Sequence, residues 1–187
     1  AWNPVDTIVF ASDGGVLQVD AAGGPPSPID TAGGAAGSSF LPDGRHFVYF
    51  RWGGSDIGIF LGSVDAKPKG QPVKLSAELS PPVYVPSSDP AVGYLLFTHG
   101  STAAAGSICT LMAQRFDTRS FQLIGETVPI AERVWSFSAS ADVLVYGTRP
   151  DIQAQPTWFD REGKVLGTFG EPGVYRSLAL SPLELRP

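Results

Sequence analysis

The stretch Phe40-Leu-Pro-Asp-Gly-Arg-His-Phe-Val-Tyr-Phe50 determines how the rest of the chain can fold. Leu41-Pro42 ends a short strand, because proline cannot donate to a sheet and therefore lies at strand ends and edges. Asp43-Gly44 predicts a tight turn, since aspartate bonds its own backbone and glycine tolerates a positive φ. Arg45 to Trp52 is then a strand whose middle, Phe47-Val-Tyr-Phe50, is apolar at every position. An uninterrupted apolar run predicts a strand covered on both faces.

The composition predicts an all-β chain large enough for a real core. Of 187 residues 43% are hydrophobic and only 17% charged, with 22 glycines and 17 prolines to form turns between short strands. The formal net charge of −5 argues against a nucleic-acid surface, which would show clustered lysine and arginine. No apolar run approaches the ~20 residues of a membrane-spanning helix, so we expect no membrane segment in this chain. Ala1 to Asp6 is not a signal peptide, so a signal or anchor of an exported protein would lie upstream.

Four aspartates mark an internal repeat, because each ends a strand and is followed by a polar turn and a short apolar strand. They are Asp20, Asp65, Asp117 and Asp160, which recur every ~40–50 residues, the signature of propeller blades with four strands each. We therefore predict a β-propeller of four-stranded antiparallel blades at approximately 1–32, 36–79, 82–132 and 134–170, with the start of a fifth at 174–187. The first blade is expected to lack its innermost strand, and no helix is predicted.

Two stretches, Phe40 to Phe47 and Leu178-Ala-Leu-Ser-Pro182, resemble the TolB-like, WD40-like (PD40) propeller repeats built around a Ser-Pro-Asp-Gly-Arg/Lys turn. Leu111 to Asp117 and Trp158 to Gly173 are similar to the propeller found C-terminal to the kinase domain in bacterial receptor-type Ser/Thr protein kinases. The resemblance implies a six-bladed propeller on the periplasmic or extracellular side of a membrane, acting as a sensor or interaction module. A cytoplasmic location stays open.

The chain departs from this family in ways that affect the prediction. The full turn motif occurs once, since the other turns read Ser12-Asp-Gly-Gly15 and Ser140-Ala-Asp142, and Ser181-Pro-Leu-Glu184 has lost its Asp-Gly. We expect a truncation there, or a sequence that diverges after Pro182. A six-bladed ring needs ~270 residues, so about four blades of six are present and two blade faces would be bare. Each bare face forfeits roughly 12–24 kcal/mol of gross burial, which predicts a longer ring or self-association.

Residue types that carry chemistry are few, and we predict that the protein is not an enzyme. The chain lacks the glycine-rich loop and strand lysine, the His-Arg-Asp loop and the Asp-Phe-Gly motif of kinases, and it has no Gly-x-Ser-x-Gly elbow. His46 is expected on an exposed edge, His99 could reach a blade face, and Cys109 is expected to be buried and inert. Two histidines and one cysteine give no credible zinc site, so no metal or cofactor is predicted.

The remaining candidates are explained more simply by structure. Turn hydrogen bonds account for the aspartates, which are Asp13, Asp20, Asp43, Asp65, Asp117 and Asp160. The glycine pairs at 14–15, 23–24 and 33–34 are turns, because no helix follows them to hold a phosphate. Packing between blades is expected for Trp52, Trp135 and Trp158, while Trp2 lies at the N-terminus. The loops Arg51 to Asp56 and His99 to Gly106 are the candidates for a binding surface, since repeat proteins carry function on loops at one face.

The sequence therefore favours a non-catalytic binding or sensor module for an unidentified protein or small ligand, with no single binding residue assigned. Two alternatives remain open. One is a propeller accessory to a prolyl-oligopeptidase-like hydrolase, and the other is a structural fragment without a ligand.

Overall fold

The computed structural model describes residues 1–3, 6–65, 72–100, 109–148, 155–160 and 162–173. These residues form an all-β structure in which every strand pairing is antiparallel, and no helix occurs among them. The strands are β1 (Thr7–Ser12), β2 (Gly15–Asp20), β3 (Ser27–Asp30), β4 (Gly34–Phe40), β5 (His46–Trp52), β6 (Gly58–Ser63), β7 (Val73–Ser76), β8 (Val83–Pro86), β9 (Val92–His99), β10 (Thr110–Asp117), β11 (Gln122–Ala131), β12 (Val134–Ala139), β13 (Leu144–Thr148), β14 (Thr157–Phe159) and β15 (Val165–Thr168).

The strands form five sheets in chain order. The first sheet is β1-β2-β3, the second β4-β5-β6-β7, the third β8-β9-β10-β11, the fourth β12-β13, and β14-β15 form a terminal hairpin. Each strand in a sheet is bonded to its neighbour in sequence, so the sheets of three and four strands are meanders. The strands of the two four-stranded sheets lie between residues 34 and 76 and between residues 83 and 131. The described residues do not close into a ring.

The first sheet gains an edge that the sequence did not predict. Trp2 forms an antiparallel bridge with Ile8, and the Asn3 amide donates to the Thr7 carbonyl over 3.0 Å. The Val9 amide donates to the Ala1 carbonyl over 2.8 Å. Residues 1–3 therefore lie along β1 on the side away from β2, in the place expected to be empty.

The fourth predicted unit differs more strongly from expectation. Its strands occur near the predicted positions, but the structure pairs them as two hairpins, β12-β13 and β14-β15, and not as one four-stranded sheet. The β14 strand has three residues, so it offers few backbone groups for pairing with β13. Residues 149–154, which connect the two hairpins, and the predicted fifth unit at 174–187 lie outside the described residues.

The sheets pack face to face through three buried clusters, which we call the first, second and third seams. The first joins the first and second sheets: Val9, Val16, Ile29, Ala35, Phe47, Tyr49 and Phe60. The second joins the second and third sheets: Leu41, Val48, Ile59, Leu61, Tyr84, Leu95, Phe97 and Phe116. The third joins the third and fourth sheets: Leu96, Leu111, Ala113 and Val134.

The β5 strand is covered on both faces, as its sequence predicted. Phe47 and Tyr49 lie in the first seam and Val48, between them, lies in the second, and all three are fully buried. Alternate residues of a strand point to opposite faces, so an apolar run without interruption feeds two cores at once.

First strands of consecutive sheets lie next to each other. Contacts between sheets include β1 with β4, β4 with β8, and β8 with β12. The sheets are therefore closest along one side of the stack, where each sheet begins.

Candidate functional site

A buried charged network lies at one end of the first seam. Asp30 ends β3, and its carboxylate accepts hydrogen bonds from the Tyr49 hydroxyl at 2.5 Å and from Arg51 Nη1 at 3.2 Å. The Asp30 and Arg51 side chains are only 5% and 8% exposed. Burial, followed by the hydrogen bond to Asp30, raises the pKa of Tyr49. The phenol therefore stays protonated and donates to the carboxylate at every ordinary pH.

The network continues outward to the surface of the second sheet. Arg51 Nε donates to the Asp56 carbonyl at 3.0 Å, and its guanidinium lies 3.7 Å from the centre of the Phe60 ring. Lys74 Nζ donates to Asp56 Oδ1 at 2.5 Å. Arg51 therefore holds the loop after β5 against the sheet, and one face of its guanidinium is covered by an aromatic ring.

This network has the properties of a structural clamp. Its central charges are paired and its members come from two different sheets, so it fixes how those sheets meet. The sequence offered the loop Arg51 to Asp56 as a binding surface, but Arg51 is buried beneath that loop. Only the outer members, Asp56 and Lys74, remain partly accessible.

A related contact occurs at the same end of the second seam. His99 ends β9, and its Nδ1 lies 3.0 Å from a carboxylate oxygen of Glu78, in the segment before the third sheet. In the first seam Asp30 and Arg51 hold the equivalent positions. Asp30 lies before the second sheet, as Glu78 lies before the third, and Arg51 lies near the end of β5, the second strand of its sheet. Close in sequence to Glu78, Ser80 is buried, and its hydroxyl accepts a hydrogen bond from the Thr98 amide at 2.8 Å. His99 thus joins two segments, and residues 101–106 of its candidate loop lie outside the described residues.

The opposite end of the second seam contains an aromatic and polar contact between turns. His46 Nδ1 lies 2.5 Å from Asp43 Oδ2, and the imidazole stacks on Phe121 with 4.3 Å between ring centres. Burial acts to raise the pKa of Asp43, but hydrogen bonds from the His46 amide, the His46 ring and the Arg45 amide lower it overall. His46 is therefore half-buried and bridges two sheets, which corrects the expectation of an exposed edge.

A cleft of about 240 Å³ opens beside this contact. It separates the turn after β4 from the turns of the third sheet, and its walls combine apolar side chains with one carboxylate and one hydroxyl. The lining residues are Leu41, Pro42, Asp43, Pro90, Thr118 and Phe121. The Thr118 hydroxyl donates to the Pro90 carbonyl at 2.9 Å, which holds the two turns of the third sheet together. The sequence did not indicate this cleft, because its walls come from segments more than 40 residues apart.

Most of the predicted turn aspartates accept backbone hydrogen bonds, as the repeat suggested. Asp20, Asp43, Asp117 and Asp160 each accept from amides two to four residues ahead. The bonds from the Ser120 and Arg119 amides lower the pKa of Asp117. Asp65 pairs with Arg45 at 3.4 Å, and residues 66–71, which follow it, lie outside the described residues. In the first turn the hydroxyl of Ser12, which precedes Asp13, accepts a hydrogen bond from the Gly14 amide.

The remaining residues to which the sequence drew attention are one cysteine and the tryptophans. Cys109 is buried, as predicted. Trp52 lies over Gly34 at the edge of the second sheet, but it remains 41% exposed. Trp135 is 58% exposed, and its packing between sheets stays a prediction. The structure does not describe the side chain of Trp158.

Comparison with known proteins finds no matching family model, no matching curated protein and no matching solved structure. In the part of the chain that the structure describes, no group of three or more histidine, cysteine, aspartate or glutamate side chains is placed to hold a metal ion. The same residues include no helix long and apolar enough to cross a membrane.

Proposed function

We propose that the chain is a non-catalytic binding module built as part of a β-propeller. The observation that carries the proposal is the repeated meander, in which consecutive sheets stack face to face and their first strands lie side by side. A propeller arranges its blades in this way around a central axis. The terminal hairpin β14-β15 would then complete the fourth sheet by adding to β13, as β6-β7 add to β5.

The cleft at Pro42 and Phe121 is the proposed binding site. It lies where the turns of two neighbouring sheets meet, and repeat proteins place binding surfaces on such loops. The apolar part of its walls suits an aliphatic or aromatic group, and Asp43, ionised at neutral pH, favours a cation beside that group. The net charge of −5 acts in the same direction. We therefore expect a peptide segment with lysine or arginine next to an apolar residue.

The wider role follows from the resemblance to the propellers of bacterial receptor-type kinases and TolB-like proteins. In that setting the module would lie outside the membrane and bind a protein or small ligand as a sensor. The buried Asp30 carboxylate, Arg51 guanidinium and Tyr49 hydroxyl are engaged with one another in a structural network, which supports binding over catalysis.

Selection from a random-peptide phage library tests the binding site. Thr118→Arg places a bulky cation in the cleft, and Thr127→Arg makes the same change on the exposed strand β11. Peptides selected on the wild-type chain should bind Thr118→Arg at least 10-fold more weakly and Thr127→Arg equally well. Circular dichroism would verify that both variants are folded. Equal binding to both variants, or no selected peptide, would overturn the assignment of the cleft.

A further inference from the structure

The outer face of the first sheet is apolar although its other face already contributes to a core. Ile8 pairs with Val19 and Phe10 with Leu17, so these four side chains share the face directed away from the second sheet. Trp2 joins them through its bridge to Ile8. The intervening residue Val9 is fully buried in the first seam. Both faces of β1 are thus apolar, the pattern of a strand covered on both sides.

This outer face is open in the structure. Phe10 is 37% exposed and Trp2 is 66% exposed. An antiparallel sheet with one solvated face normally alternates apolar and polar residues, whereas Thr7–Ser12 reads Thr-Ile-Val-Phe-Ala-Ser. Ile8, Leu17 and Val19 are half-buried. A partly exposed apolar patch of this kind is typical of an interaction surface.

The three seams indicate what covers such a face. We call the face of a sheet that packs on the preceding sheet its leading face, and the opposite one its trailing face. In the second sheet Phe47 and Tyr49 are on the leading face and Val48 on the trailing face. In the third sheet Leu95 lies on the leading face and Leu96 on the trailing face. Every seam therefore joins a trailing face to the leading face of the next sheet.

One leading face and one trailing face of the first four sheets are left uncovered by the residues that the structure describes. The open leading face is the outer face of the first sheet, with Phe10 at its centre. The open trailing face belongs to the fourth sheet, where Val145 pairs with Ser138 and is 63% exposed. Phe137, the neighbour of Ser138, points the other way and packs on the third seam. On the trailing face Val145 and Ser138 are uncharged, so this pair can meet an apolar sheet without burying a charge.

We propose that two copies of this chain associate head to tail, with the leading face of the first sheet in one copy packed on the trailing face of the fourth sheet in the other. The inference rests on the stacked-sheet arrangement of the proposed function and names a second copy as the partner. The interface is heterologous, because the two faces are different surfaces, so each copy retains one open face for another copy.

Light scattering coupled to size exclusion, over a range of protein concentrations, tests whether these faces cause association. The wild-type 187-residue chain should show a mass above that of a monomer, rising with concentration. Phe10→Lys and Val145→Lys should each reduce it to a monomer, because each buries an unpaired ammonium in the interface. Val73→Lys changes an equally apolar exposed residue on the outer strand β7 and should associate like the wild type. Thermal unfolding would verify that each variant is folded.

Mixing the two variants distinguishes this interface from its alternatives. Phe10→Lys retains an intact trailing face and Val145→Lys an intact leading face, so an equimolar mixture should form a dimer that stops at two chains. A symmetric contact between two leading faces would leave Val145→Lys associated, which would overturn the proposal. So would a monomeric wild type, or a mixture that stays monomeric. Peptide binding at the cleft is a separate measurement, so its failure is distinguishable from failure of this association.

Discussion

Two strands of nearly the same composition have opposite environments in this molecule. Phe47, Val48 and Tyr49 in β5 are each 0% exposed. Leu144, Val145 and Tyr146 in β13 are 36%, 63% and 46% exposed. Both runs are apolar at every position, and both lie in the second strand of their sheet. An apolar run therefore specifies a strand, whereas burial requires a sheet packed on each of its two faces.

Truncating an aromatic side chain in each strand should give the largest difference. Phe47→Ala empties the centre of the first seam, so we expect the free energy of unfolding to fall by about 3–5 kcal/mol. Tyr146→Ala removes a half-exposed ring and should cost less than about 1 kcal/mol. Urea unfolding monitored by circular dichroism gives both values. Equal losses in the two variants would mean that β13 is as well buried as β5.

The ion pairs offer a second comparison between buried and exposed environments. Asp30→Ala leaves the buried Arg51 guanidinium and Tyr49 hydroxyl without their shared acceptor, so we expect a loss of about 3 kcal/mol. The surface pair of Arg45 and Asp65 has side chains that are 67% and 59% exposed. Arg45→Ala should therefore cost less than about 1 kcal/mol. A small effect for Asp30→Ala in the same urea experiment would contradict the clamp described for the first seam.

Glycines in the two regions should respond differently to an added methyl group. A Cβ on Gly62 would lie 2.6 Å from the nearest atom of the Phe47 ring, so Gly62→Ala should destabilise by about 1–3 kcal/mol. A Cβ on Gly167 in β15 would have no described heavy atom within 4 Å apart from its chain neighbours. Gly167→Ala should therefore be neutral or slightly stabilising. Thermal unfolding compares the two. Matching losses would place a close neighbour over Gly167.

Acid should weaken the second seam slightly through the Asp43 turn. The pKa of Asp43 is lower in the folded chain than its ordinary value, so the folded state favours the carboxylate. Its contribution is present above the ordinary carboxyl pKa of ~3.9 and is lost as pH falls through the lowered value. The side chain is 37% exposed, so the effect is small. Asp43→Asn should be less stable at neutral pH and lose less stability than the wild type between about pH 5 and pH 2. Parallel acid titrations of the two chains would contradict this.

Local patterns predicted the strands and turns, because the responsible residues are close in sequence. Asp43 and Asp117 bond amides two or three residues away, and the run around Val48 required nothing beyond itself to indicate a doubly covered strand. Contacts between sheets could not be predicted from these local patterns. Asp30 meets Arg51 across 21 residues, and the cleft brings Pro42 near Thr118. No spacing rule for a single strand or turn identifies such pairs, since they depend on how one sheet is oriented on the next.

The Asp30 clamp also bears on the order in which the chain folds during synthesis. At translation rates of ~5–20 residues per second, Arg51 follows Asp30 by roughly one to four seconds. During that interval the first sheet lacks both its guanidinium partner and the apolar side chains of β5 that cover Val9 and Val16. A lone carboxylate is stable only in contact with water, so the nascent first sheet remains hydrated and loosely packed. We therefore expect the two sheets to pack stably only after β5 has left the ribosome, so that they fold as one cooperative unit.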